Sequence, residues 1–238
     1  MLSGILNVNL ETGNMEPIIL ASGSPRRQDF FRLMGLPFTC IPAMIDETPP
    51  AGLSPRQVAE DLARKKTAAV VEQLHSSNPD PHWIFAADTI VVLEGEIFGK
   101  PAGRDDARRM LERLAGRRHE VITAMALYNG RQKTTDCLRR TEGSETNTLP
   151  KQQPALQGGV VDCRSTTSEV AFAPLTGAEI EWYLDTGEWE GAAGAYRLQE
   201  LGGCLIESIN GSPSGVAGLP LHDFYAMLRD NGFPYGRL

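Results

Sequence analysis

The ten residues from Ile84 to Leu93, IFAADTIVVL, form the most apolar run of the chain and read as a strand at the centre of a sheet. One acidic residue, Asp88, interrupts it. A carboxylate in that position is costly to bury unless something pairs with it, and a metal ion, a lysine or a catalytic water would each meet that cost. A hydrogen-bonded structural aspartate at a strand end would do so as well.

A second stretch constrains the fold upstream. Ile18-Ile19-Leu20 reads as a short buried strand and Ala21-Ser22-Gly23-Ser24 as a turn. Pro25 opens a helix to about residue 35, with Phe30, Phe31, Leu33 and Met34 at helical spacing. Ser24 is the expected N-cap. Strand, turn and helix in that order aim backbone N–H groups, and the positive end of the helix dipole, at whatever sits above the turn. Arg26 and Arg27 add cationic charge at the end of the helix where cations are unfavourable. A bound anion, phosphate first, accounts for this, and so does a capped surface helix with two solvated arginines. The Walker A pattern is absent.

Length and charge narrow the class. A chain of 238 residues, 41% apolar, suits one α/β core. A net charge of −7 disfavours a general nucleic-acid binder, although a local basic cluster can still hold a polyphosphate. Cys40, Cys137, Cys163 and Cys204 form no CxxC pair, so free thiols in a reducing compartment are expected. The first 16 residues lack a basic start and a long apolar run, no membrane-length apolar segment follows, and the cytoplasm is the expected location.

Residues 1–16 read as an N-terminal extension without an assigned role. Strands are expected at 38–41, 119–128, 167–173 and 205–209, with a hairpin through Glu94-Gly95-Glu96 into Ile97-Phe98. Helices are expected at about 54–75, 104–115, 176–185 and 219–228. Residues 129–166 are polar and lack either period, and read as a flexible insertion between two strands.

Among chemical groups, Asp46 and Glu47 precede a double proline and supply the hard oxygens that Mg²⁺ or Mn²⁺ prefers. Lys100 follows the hairpin and would lie near the same sheet edge as Asp88. The four histidines have no zinc-site spacing, and Ser212 to Gly215 fits a turn into a helix better than a nucleophile elbow. Cations near a helix N-terminus, carboxylates, lysines and no covalent nucleophile suit metal-assisted attack of water on a phosphoanhydride.

Taken in order, ASGSPRR at 21–27, IDET at 45–48, LARKK at 62–66, AADT at 86–89, FGKP at 98–101, GRRHEVIT at 116–123, and the closing GAYRLQ and GLPL blocks resemble the Maf family of nucleoside triphosphate pyrophosphatases. The resemblance implies one catalytic domain over 17–238, related in fold to inosine triphosphate pyrophosphatases, with an elongated mixed β-sheet flanked by helices and two lobes around a deep cleft. It implies hydrolysis of a nucleoside triphosphate to the monophosphate and pyrophosphate with a divalent cation, Mg²⁺ or Mn²⁺. Asp88 matches the proposed proton acceptor, Ser24, Arg27, Lys66 and Lys100 the phosphate-binding positions, and Glu47, with Asp88, the metal position. Arg26, Thr89 and Gln199 match the subgroup acting on dTTP and UTP. The sister subgroup acting on 7-methyl-GTP would carry Trp in place of Arg26 and Glu in place of Gln199. Other readings are the same chemistry on 7-methyl-GTP or a modified nucleotide, and a catalytically weak nucleotide-binding regulator. A homodimer, with no stable nucleic-acid or membrane partner, is expected. Three features depart from the family pattern: Glu200 where Gly is usual, Ser212-Pro213-Ser214-Gly215 for a Ser-Tyr-Ser-Asn run, and the insertion.

Overall fold

The apolar run forms β3 (Trp83–Leu93), and Thr89 alone among its eleven residues is not buried. A computed structural model describes residues 15–75, 82–132 and 159–235 of the protein. One side of β3 is covered along nearly its whole length by β5 (Arg118–Asn129), antiparallel, followed by β6 (Val160–Phe172) and β7 (Ile206–Asn210), each antiparallel to its neighbour. The other side is shared. β1 (Ile18–Leu20) pairs in parallel with Ile84 and Phe85, and β2 (Phe38–Cys40) lies parallel beyond it. β4 (Glu96–Phe98) pairs with Val91 to Leu93. Glu94 and Gly95, with φ of 53° and 83°, make the two-residue turn that the hairpin twist demands. The expected mixed α/β sheet is therefore present as a seven-stranded sheet ordered β2-β1-β3-β5-β6-β7, with β4 on the free part of the β3 edge.

Alternation along β3 distributes its side chains among three apolar clusters. Ile84, Ala86, Ile90 and Val92 face α2 (Pro55–His75), where Ala59 and Ala63 meet the small Ala86, Ala124 and Ala126. Trp83, Phe85 and Ala87 face the opposite layer, built on Phe31 of α1 (Pro25–Leu33) and Phe224 of α6 (Leu221–Asp230). Val91 and Leu93 belong to a third cluster under α3 (Arg104–Leu114) and α4 (Gly177–Asp185). A capping box at Thr176 and Glu179 starts α4, and Ser212 caps the single turn α5 (Pro213–Val216).

Two local expectations change. Ser24 occupies the N-cap position before Pro25, but its side chain makes no capping bond. The strand expected from Thr167 begins at Val160, because its first half satisfies polar side chains instead of burying apolar ones. Arg164 pairs with Asp162 and Asp230, Ser165 Oγ donates to Glu60, and Arg56 donates to Ser165 and Thr167. Of the expected insertion, residues 133–158 lie outside the described residues, as do residues 1–14 of the expected extension. Glu16, at the end of that extension, pairs with His82 and Arg131.

Candidate active site

The shared edge of β3 creates the site. β1 leaves the sheet after Leu20, the Ala21 N–H donating to Phe85 O at 2.8 Å, and β4 does not begin pairing until Val91. Between them the edge of β3 has no strand partner on that side among the described residues, and Asp88 and Thr89 lie in this gap. Adjacent strand residues point to opposite faces, so Asp88 turns toward α2 and Thr89 toward α1.

On the α2 face, Lys66 Nζ donates to Asp88 Oδ1 at 2.6 Å and to Glu47 Oε1 at 2.7 Å. Lys100, just past β4, pairs with the other oxygen of Glu47 at 3.2 Å. Asp88 is 8% exposed, and Lys66 supplies the partner that its burial requires. Burial works to raise the Glu47 carboxyl, but the hydrogen bond and charge of Lys66, joined by Lys100, outweigh it and hold it below the usual range. Asp46 stays out of this network and accepts from the Thr48 N–H.

On the α1 face, the Arg27 guanidinium is spread over three acceptors: Gly218 O at 3.0 Å, Ser22 Oγ at 3.1 Å and Thr89 Oγ1 at 3.2 Å. The hydroxyls behind it have a fixed polarity. Thr123 Oγ1 donates to Gly215 O at 2.8 Å, so the 2.9 Å contact between Thr123 and Thr89 uses the Thr89 proton, and Thr89 accepts from Arg27. Burial pushes the Arg27 guanidinium down to about 10, with the Asp88 charge opposing, and it stays cationic at neutral pH.

These groups open into one cleft of about 770 Å³, within the range of small-molecule sites. Ser24, Arg26, Arg27, Glu47, Lys66, Asp88, Thr89 and Lys100 all line it. Gln199 does not: it is exposed, with its amide toward Glu200, and Glu200 and Arg197 line the cleft instead. Arg26 lies beside both. Burial lowers its guanidinium, the Arg197 charge lowers it further, and Glu200 opposes. Tyr196 forms part of the wall, its hydroxyl 2.8 Å from Nε2 of the buried His119.

The donor set fits a hard divalent cation. Among the described residues no group of three His, Cys, Asp or Glu side chains could hold a metal. Two carboxylates, Glu47 and Asp88, nevertheless converge on one point, now taken by the Lys66 ammonium. One or two carboxylates completed by substrate phosphates is the usual way Mg²⁺ is held.

Sequence reasoning missed Ser22, Thr123, Arg197 and the cleft position of Glu200. Thr123 carries a signal, a hydroxyl within an apolar strand opposite Thr89 in register. The others are placed by tertiary geometry alone.

A gap in an α/β sheet that gathers cationic side chains around two carboxylates defines a protein class that binds a small polyanion. The chain belongs to the Maf family: the family model described as Maf-like protein matches residues 17–231. It is 42% identical over 217 residues to the dTTP/UTP pyrophosphatase of Anaeromyxobacter dehalogenans strain 2CP-1, covering 91% of this chain and 95% of that one. Identity is 40% over 219 residues to the dTTP/UTP pyrophosphatase of Halalkalibacterium halodurans, covering 92% and 98%. It is 38% over 220 residues to that of Symbiobacterium thermophilum, covering 92% and 96%.

Proposed function

We propose that this protein hydrolyses dTTP and UTP to the nucleoside monophosphate and pyrophosphate, with Asp88 accepting the proton of the attacking water. The observation that carries this reading is the Asp88–Lys66–Glu47–Lys100 chain, set across the sheet gap from Arg27 in one cleft. The activity of the relatives, dTTP/UTP pyrophosphatases, supports the substrate. Ser24, Arg27, Lys66 and Lys100 bind the phosphates and Arg26 bears on the base, whereas Gln199, outside the cleft lining, does not touch it. Thr89 acts through Arg27, since its only proton goes to Thr123.

The reaction cleaves the bond between the α-phosphorus and its bridging oxygen. Water adds to the α-phosphorus, its proton passes to the Asp88 carboxylate, and pyrophosphate leaves with the bridging oxygen. Lys66 reaches both carboxylates, so incoming phosphate oxygens compete for its ammonium and free Asp88 Oδ1 to accept the proton. Glu47 and Asp88 would hold Mg²⁺ or Mn²⁺, which would supply charge neutralisation at the phosphoryl oxygens. Among the described residues no helix is long and apolar enough to cross a membrane. Cys40 and Cys204 form no disulfide among the described residues, in keeping with a reducing, cytoplasmic setting.

The test is pyrophosphate release from dTTP, UTP, CTP, 7-methyl-GTP and purine triphosphates by the native protein and by Asp88→Asn. Selective turnover of dTTP and UTP, lowered about 100-fold or more in the variant, is expected. Undiminished turnover by Asp88→Asn would remove Asp88 as the base.

A further inference from the structure

Two parts of the cleft wall are held very differently. Around Lys66 the charged contacts are 2.6 and 2.7 Å, short and partly buried. Beside Arg26, the Glu200 carboxylate meets Arg197 Nη1 and Gln199 Nε2 at 3.4 Å each, at the long limit of a hydrogen bond. Arg197 itself is held firmly elsewhere, its Nη2 donating to Glu190 O at 2.7 Å and its N–H to the Tyr183 hydroxyl at 3.2 Å. A fixed arginine therefore stands beside a carboxylate whose acceptor capacity is largely unspent, and both line the cleft with Arg26.

We propose that Glu200 is a specificity-determining residue for the base. The inference rests on the nucleotide reading above and deepens it. A nucleotide with its phosphates at Lys66 and Lys100 extends its base toward the remaining wall. Uracil and thymine present an N3–H donor between two carbonyl acceptors. A carboxylate accepts from N3–H, and the neighbouring Arg26 guanidinium donates to a flanking carbonyl. Cytosine presents an unprotonated N3, whose lone pair faces the carboxylate oxygen and repels it, so the pairing that uracil and thymine make is lost.

Glu200→Gln is the informative variant, because an amide turns either its oxygen toward N3–H of uracil or its NH₂ toward N3 of cytosine. The UTP to CTP ratio of kcat/KM, measured for the native protein and the variant, is expected to fall about tenfold or more. Glu200→Ala, which removes the carboxylate, is expected to lower the same ratio and serves if the glutamine variant does not fold. A native enzyme that prefers UTP, together with variants that keep its ratio, overturns the role of Glu200 and leaves the reaction standing. A native enzyme that turns over UTP and CTP equally overturns the substrate reading and this inference with it.

Discussion

Lys66 serves two carboxylates with one ammonium, and this makes the site's stability unequal in its members. Removing Lys66 leaves Asp88, only 12% exposed at its side chain, without its 2.6 Å partner. Removing the Asp88 charge leaves Lys66 still paired with Glu47. Lys66→Met should therefore cost about 3 kcal/mol of unfolding free energy, Asp88→Asn clearly less, and the double variant should recover part of the first loss. Urea denaturation of the three variants checks this. Additive costs would mean that the two side chains are not coupled. A residue-scale reading of the sequence reaches Asp88, because a carboxylate in an apolar strand demands a partner, and Glu47, as a loop oxygen donor, whereas Lys66 is reached only through the family resemblance. It does not reach Glu200, whose exposure to the cleft follows from how the chain turns between Tyr196 and Leu205.

At the level of elements, the segment carrying Tyr196 and Arg197 is pinned to β3 and to the β4 exit. Gly194 takes a left-handed φ of 66° and its N–H donates to Gly99 O at 3.1 Å, one residue before Lys100. A Cβ there would stand 2.9 Å from Val91 Cγ2, and Val91 is buried within the third cluster. Gly194→Ala should lower stability by about 2 kcal/mol or more, from left-handed strain and the clash together. Because the displaced segment holds Arg197, the nucleotide KM should rise as well. Thermal melts and steady-state kinetics test the pair of effects, and a variant of native KM would show that the segment moves independently of the cleft. Most elements are legible from periodicity: β3 as an apolar run, α1 from Pro25 with its apolar spacing, α3 from Ala107, Leu111 and Leu114. β6 is only half legible, since Asp162, Arg164, Ser165 and Thr166 find polar partners on α2 and α6, and no hydrophobic alternation records that pairing. The sheet gap is hidden for a related reason, as it depends on where β1 and β4 stop along a third strand.

The whole molecule meets acid with two opposing tendencies. Its net charge of −7 shrinks as pH falls toward the isoelectric point near 5.2, which relieves self-repulsion and favours the compact state. His119 works the other way. It is 2% exposed, sits edge-on to Phe172 and Tyr196, and burial pushes its imidazole down to about 4 from 6.5. Between those values the unfolded chain takes up a proton that the folded protein refuses. Its contribution is thus complete above pH 6.5 and lost as pH falls toward 4, up to about 3 kcal/mol over the interval. His119→Gln keeps a group able to bond the Tyr196 hydroxyl but does not titrate. The native protein should lose stability across this window more steeply than the variant, with the difference growing as pH falls, whatever the variant costs at pH 7. Parallel stability curves from denaturant melts at pH 7, 6, 5 and 4.5 would place the acid sensitivity in the carboxylates instead. A steeper native curve would show that the histidine behind the cleft wall sets the acid limit of the fold.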